Sequence, residues 1–262
     1  MSAARTLGKS VFAAGDLFRR NPTGPRLLIY HQVGTDHGHQ MEVTTENFVR
    51  QLDWLASERE VVDLTSAVQR WDEPGSDRLT VLTFDDGYRD VYTTAFPILL
   101  ERRMPFILYL TTSLIADGSD PSDSADPRLS WHQVAEMIDS GLMAFGAHTH
   151  NHPDLRELSR EQVATELEIS DDIIETRLGR RSEHFAYPYG FWSESADYEV
   201  RQRYSTAVLG GAPAPASTPD PHLLHRYPVQ LSDGFRFFKA RVKSGLRLEE
   251  SLRRRLKGYE GP

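Results

Sequence analysis

Two acidic residues in succession, Asp85 and Asp86, stand before Gly87 and directly after the apolar run LTVLTF (79–84). Carboxylates in such a place can ligate a metal, accept a proton or cap an ordinary Asp-Gly turn. A second group, His148-Thr149-His150-Asn151-His152, follows the run MAFGA, and its outer histidines stand at i and i+4. That spacing suits one metal ion if the segment forms a helical turn. Two histidines and one carboxylate leave coordination positions open for water and substrate. Such a set serves metal-assisted hydrolysis and also, taken alone, non-haem iron oxygenases. The usual oxygenase order, His-x-Asp/Glu and then a distant His, is not the order found here. Consecutive side chains leave an extended backbone in opposite directions, so Asp85 and Asp86 are expected to divide two roles. One would ligate the metal while the other faces the substrate.

These groups need elements that bring them together. RLLIY (26–30) ends at His31, and HFAYP (184–188) ends at Tyr189-Gly190. In a parallel α/β barrel the C-terminal ends of all strands meet on one face, where active sites lie. Four strand ends would then deliver carboxylates, imidazoles and a tight turn to one mouth. The rest of the chain fits that frame. Further strands are expected at 61–64, 105–111, 143–147, 205–209 and 226–229, from short apolar runs bounded by turn residues. Helices are expected at 45–57, 66–71, 91–103 with a kink at Pro97, 130–138, 159–178, 235–243 and 248–257. Ser130 with Gln133 and Ser159 with Gln162 have the spacing of capping boxes, and Gly179 stops the longest helix. About seven strands alternating with helices predict an α/β fold, a single-domain distorted (β/α) barrel of parallel strands. The segments 117–128 and 210–221, acidic or rich in Gly, Ala and Pro, read as surface loops.

Composition narrows the function. The chain has 262 residues, 38 acidic against 30 basic, a net charge of −8 that argues against a nucleic-acid partner. It has no cysteine, so disulfides, thiolate metal sites and thiol nucleophiles are excluded, and any metal must be held by His, Asp or Glu. No apolar run approaches the ~18 residues that span a bilayer. Residues 1–24 form a separate N-terminal amphipathic segment, with Leu7, Val11, Ala14 and Phe18 at helical spacing and Arg5, Lys9, Arg19 and Arg20 nearby. That stripe suits a helix packed on the domain, the commoner use, or peripheral membrane contact through residues 5–20. No signal peptide is recognised, so the expected location is cytoplasmic or peripheral at the inner membrane face.

Thr83-Phe84-Asp85-Asp86-Gly87 and His148-Thr149-His150-Asn151-His152 closely resemble the first two motifs of the polysaccharide deacetylases, carbohydrate esterase family 4. Phe185-Ala186-Tyr187-Pro188-Tyr189-Gly190 is similar to the third motif. The resemblance runs from Tyr30-His31-Gln32-Val33 to about Val229, which places the deacetylase (NodB homology) domain at 25–262. It implies metal-dependent removal of N-acetyl groups, with release of acetate, from a GlcNAc-containing polysaccharide or glycoconjugate. It further implies that Asp85 is the general base, that Asp86, His148 and His152 ligate a divalent ion, and that the Tyr189 backbone N–H stabilises the oxyanion. Zinc is the expected ion, with cobalt or nickel as alternatives. His150 falls on a variable position and is expected to be structural. The Tyr-His-x-Val strand end resembles the branch that acts on exopolysaccharides such as poly-N-acetylglucosamine.

Two departures stand out. Many members carry an Arg after the phenylalanine of the third motif, which orients the base; this chain has Ala186, leaving Arg89 or Arg226 to supply that charge. The late Leu-x-His motif, which provides the general acid, is poorly matched by Leu223-Leu224-His225, so His31 is preferred over His225 for that role. The alternatives are a hydrolase of another amide or of an O-acetyl ester on the same metal site, and a non-catalytic carbohydrate-binding relative. The intact Asp85, Asp86, His148 and His152 argue against the last.

Overall fold

A computed structural model describes residues 24–34, 40–117, 128–211 and 220–244. The amphipathic stripe of residues 5–20, the final helix expected at 248–257 and most of both long loops lie outside the described residues. The strands are β1 (Arg26–Tyr30), β2 (Gln32–Val33), β3 (Glu42–Val43), β4 (Glu60–Val61), β5 (Leu79–Phe84), β6 (Phe106–Leu110), β7 (Met143–Ala147), β8 (His184–Ala186), β9 (Thr206–Gly210) and β10 (Leu224–Pro228). Seven of them close a parallel barrel in the order β1-β5-β6-β7-β8-β9-β10. The closing pair aligns Arg26–Tyr30 with Thr80–Phe84 on one side of β1, and β10 pairs on the other. β4 pairs outside the ring on the start of β5, and β2 with β3 forms a separate two-stranded ribbon.

Each barrel strand presents alternate residues to opposite faces. Leu27, Val81, Ile107, Tyr109, Ala186, Val208 and Leu224 fill the interior. Their neighbours Leu28, Leu82, Phe84, Leu108, Phe145, Phe185, Leu209 and Tyr227 pack outward under the helices. Tyr109 occupies much of the interior, and only glycine fits beside it at position 146, where a Cβ would lie 2.2 Å from its ring. The same alternation carries the inner register onward to His31 after β1, Asp85 after β5 and His148 after β7. The barrel's packing parity therefore delivers the polar groups to its C-terminal mouth.

The helices are α1 (Thr45–Glu58), α2 (Leu64–Gln69), α3 (Phe96–Glu101), α4 (Trp131–Asp139), α5 (Arg160–Leu178), α6 (Glu194–Arg203) and α7 (Gly234–Ser244). Both expected capping boxes form, and Gly179 ends α5 at φ 73°. Phe48 of α1 lies 5.4 Å from the Tyr30 ring and 6.2 Å from Phe84, which fastens that helix over β1 and β5. Burying a phenylalanine of this kind contributes roughly 1.5–3 kcal/mol. Several boundaries shift by a residue or two from the sequence reading, α2 spanning Leu64–Gln69 rather than 66–71 and β10 starting at Leu224 rather than 226, and two differences have a local cause. The strand expected at 61–64 ends at Val61, because the Asp63 carboxylate accepts from Ser66 N at 2.8 Å and starts α2 at Leu64. The kinked helix expected at 91–103 is a wide helical turn, Val91–Ala95, followed by α3. Pro97 sits in the first turn of α3, where its missing N–H costs nothing, and the wide turn absorbs the change of course. No helix among the described residues is long and apolar enough to cross a membrane.

Candidate metal and catalytic site

Asp85 leaves β5 with its N–H donating to Tyr30 O at 3.2 Å, so the turn is pinned to β1 as it forms. Its carboxylate, 2% exposed, points into the mouth and is gripped from below. Arg226 Nη1 donates to Oδ1 at 2.6 Å and Nη2 to Oδ2 at 2.7 Å, while Nη1 also reaches Thr83 Oγ1 at 3.0 Å. Arg226 is fully buried, with its guanidinium 5.2 Å from the Tyr109 ring centre. Of the two arginines considered for the position vacated by Ala186, Arg226 is therefore the one that contacts Asp85. It lies in the inward register of β10, between Leu224 and Pro228, two residues long of the interior apolar layer. Burial pushes the Asp85 carboxyl up, but Arg226 and His148 outweigh it and hold the group down at about 2.

Asp86 does not diverge from Asp85 as extended backbone would require. Its φ of 70° is left-handed, and the turn brings its carboxylate back to the same mouth. Asp86 Oδ1 lies 3.6 Å from His148 Nε2 and 3.5 Å from His152 Nε2. The histidines meet without a helical turn: Thr149 (φ 65°) and His152 (φ 56°) are both left-handed, and His152 N donates to Thr149 Oγ1 at 3.0 Å. His148 Nδ1 lies 2.7 Å from the carbonyl of Ala186. A carbonyl only accepts, so Nδ1 carries the proton and Nε2 presents its lone pair toward Asp86. Burial also pushes His148 down to about 4, which keeps the ring neutral and fit to ligate.

The ligand atoms of Asp86, His148 and His152 all lie within 4.8 Å of one another. An ion at ~2.0–2.2 Å from nitrogen and oxygen donors in tetrahedral geometry separates those donors by about 3.3–3.6 Å. The two Asp86–histidine separations match that span, and the chemistry of the donor set suits a divalent metal.

His31, Tyr189 and Gly190 line the same cavity of about 600 Å³ with Asp85, Asp86, His148 and His152. His31 is half-buried, and its solvent-shielded Nδ1 makes no hydrogen bond among the described residues. Burial lowers its pKa, against the opposing pull of Asp85 and Asp86. Tyr189, left-handed at φ 59°, sets its ring 4.6 Å from His152 and remains 59% exposed. The turn that carries it lies on the end of β9: a Cβ on Gly190 would come within 2.4 Å of Gly210 N. His225 is not among the cavity-lining residues; its neighbours Leu224 and Arg226 point into the barrel, so its own side chain leaves the outer face. His150 turns away as well, with Nδ1 2.9 Å from Thr112 Oγ1. Sequence reasoning passed over Tyr88, Arg156, Phe191 and Gln230, which also line the cavity. Phe191 stacks beside Tyr189 at 6.0 Å and carries the Arg156 guanidinium at 3.7 Å, and no motif marks that pair.

A closed parallel barrel with an Asp-His-His site at its C-terminal mouth, and a second carboxylate beside it, defines a metal-site α/β barrel equipped for hydrolysis. The profile of the polysaccharide deacetylases matches residues 72–207, and the chain belongs to that family. It is 30% identical over 163 residues to the poly-β-1,6-N-acetyl-D-glucosamine N-deacetylase of Staphylococcus epidermidis, over 56% of this chain and 54% of that one. The chain thus spans about half the length of that relative. Among solved structures, IcaB from Ammonifex degensii superposes with a TM-score of 0.72 at 27% identity, over 84% of this chain and 97% of that chain. The Streptococcus pyogenes deacetylase PplD, in complex with acetate, shares the fold with a TM-score of 0.71 at 23% identity, over 83% and 97% of the two chains.

Proposed function

We propose that this protein hydrolyses N-acetyl groups from a GlcNAc-containing polysaccharide and releases acetate. The observation that carries the reading is the ionised, Arg-gripped Asp85 carboxylate set beside the Asp86-His148-His152 triad in one open cavity. Similarity to a poly-N-acetylglucosamine N-deacetylase supports the substrate class. Asp86, His148 and His152 would hold a divalent ion, with zinc expected, which would supply Lewis acidity toward the amide carbonyl and lower the pKa of water. Asp85, fixed in one orientation by Arg226, takes the proton from the attacking water. The Tyr189 backbone N–H faces the charge that develops on the carbonyl oxygen. As the C–N bond breaks, His31 gives a proton to the leaving nitrogen, so acetate and a free amine are produced. The exposed ring of Tyr189 and its neighbour Phe191 offer apolar faces to the sugar rings of a polymer crossing the mouth.

The test is acetate release from β-linked N-acetylglucosamine oligomers and from O-acetylated oligosaccharides, with and without chelator. Chelator-sensitive acetate from the N-acetyl oligomers is expected. Release from O-acetyl substrates alone, or release indifferent to chelator, would overturn the reading.

A further inference from the structure

The segment 148–152 must hold two histidines on one point through a backbone that L-residues seldom adopt, since Thr149 and His152 are both left-handed. Such backbone persists only where its surroundings dictate it. One flank is bound to the end of β6. His148 N donates to Leu110 O at 3.0 Å, Thr112 N to Thr149 O at 3.2 Å, and Ser113 N to His150 O at 3.0 Å. The other flank is bound by a single side chain from α5. Glu166 Oε2 accepts from His150 N at 3.2 Å and from Asn151 N at 2.9 Å, and Oε1 accepts from Asn151 Nδ2 at 2.7 Å. Two successive backbone N–H groups converging on one oxygen make a small anion-binding concavity, and a carboxylate is its natural occupant.

We infer that Glu166 is a positioning residue for the metal site, acting through the backbone of His150 and Asn151 on the side chain of His152. The inference rests on the proposed metal reading of Asp86, His148 and His152. The two histidines are held unequally. His148 is fixed by the β6 pairing and by the Ala186 carbonyl. The His152 ring is 20% exposed and packs edge-on against the rings of Tyr189 and His148. Its direction is therefore set by the turn that Glu166 clamps. Without that carboxylate, the 150–151 N–H groups turn to water and the left-handed residues relax. His152 then leaves the arc shared with Asp86.

The experiment measures Zn²⁺ affinity by competition with a chromophoric chelator, and the visible spectrum of the Co²⁺-loaded protein. It compares wild type with Glu166→Ala, Glu166→Gln and Glu166→Asp, and uses the exposed neighbour Glu168→Ala as control. Glu166→Ala should bind zinc about 10- to 100-fold more weakly and show an altered cobalt spectrum. Thermal unfolding of its metal-free form should stay near wild type, because Glu166 is only half-buried on the helix surface. Glu166→Gln keeps an oxygen for both backbone N–H groups and should recover most of the affinity. Glu166→Asp keeps the charge but withdraws it by one methylene, and should lose affinity even if the alanine variant fails to fold. Wild-type affinity in both Glu166→Ala and Glu166→Asp overturns the inference. A wild-type protein that binds no zinc or cobalt overturns the metal reading and this inference together.

Discussion

Arg226 reaches across the barrel from β10 to hold the carboxylate of Asp85 with both terminal nitrogens, at 2.6 and 2.7 Å, and both side chains are almost wholly buried. The pair has two consequences. It fixes the direction of the Asp85 oxygens, and it keeps the group ionised where burial alone would protonate it. A buried pair of this kind contributes little net stability, yet removing one partner strands the other, at a cost of about 3–5 kcal/mol.

Arg226→Met should therefore lower the melting temperature and move the acid limb of activity. In the wild type Asp85 titrates at about 2, so it stays ionised over the working range. Its contribution to stability is present above the unfolded carboxylate value near 4, and is lost as pH falls toward 2. With Arg226 gone, burial dominates and the Asp85 pKa rises. The acid limb of kcat/KM should then shift toward neutral pH, and Arg226→Lys should shift it less, since an ammonium cannot form the two-pronged contact. A pH–rate profile of Arg226→Met superimposable on wild type would refute the assignment.

Base and ligand roles separate in a second experiment. Asp85→Asn should keep its metal and lose most deacetylation, whereas the His148→Ala/His152→Ala double variant should fold and lose the metal. Elemental analysis together with acetate release distinguishes them. Near-wild-type turnover in Asp85→Asn at neutral pH removes the base role, and full metal content in the double variant removes the ligand set.

Much of the architecture was legible because its causes are local. Ser130 with Gln133 and Ser159 with Gln162 announced two helices through side-chain bonds spanning three residues. The apolar runs showed the buried strands, and their ends located Asp85 and His148. The partner of Asp85 was not legible, because Arg226 meets it across 141 positions of chain and only strand order decides which residues face each other. A charged residue in the inward register of a short strand was the available signal. The turns at Asp86 and at Thr149–His152 are not legible either: extended backbone predicts divergent side chains at Asp85 and Asp86, and the i, i+4 spacing of the histidines says only what a helical turn would do. Left-handed non-glycine residues, imposed by tertiary hydrogen bonds, set those turns.

Asp90 offers a test of stability apart from catalysis. It is 8% exposed, and neither carboxylate oxygen makes a well-formed hydrogen bond among the described residues, although the N–H groups of Val33 and Val91 approach it. Burial pushes its carboxyl up to about 7, Glu42 adds to the rise, and the nearby N–H groups of Val33 and Val91 offset only part of it. The folded state thus favours the neutral acid. The stability this gives is complete below pH ~4, where the unfolded chain is also protonated, and is lost as pH rises through about 7. Asp90→Asn mimics the neutral acid, so it should be more stable than wild type at pH 8 by on the order of 2 to 4 kcal/mol. The gap should close as pH falls toward 4. Urea unfolding at pH 4.5, 6 and 8, chosen to bracket the transition, checks this; a difference that does not vary with pH contradicts it.

The remaining prediction concerns the proton that the leaving amine receives. His31 follows β1 in the inward register and lines the cavity beside Asp85 and Asp86, with an Nδ1 that makes no hydrogen bond among the described residues. His225 belongs to the second residue of β10, at the end of the barrel remote from the mouth, and its side chain leaves the outer face. An acid must come within about 3 Å of the leaving nitrogen, directly or through one water. On that geometry His31→Ala should lower kcat by roughly 10²–10⁴-fold with zinc affinity nearly unchanged, and His225→Ala should stay within a few-fold of wild type. Burial disfavours the imidazolium of His31, and Asp85 and Asp86 oppose that effect. The acid is the protonated form, which disappears as pH rises, so on the proposed role the alkaline limb of kcat should be absent in His31→Ala. Both variants are to be compared with the same N-acetylglucosamine oligomer across pH. A loss confined to His225→Ala would overturn the assignment, and small, equal losses in both would transfer the role to water.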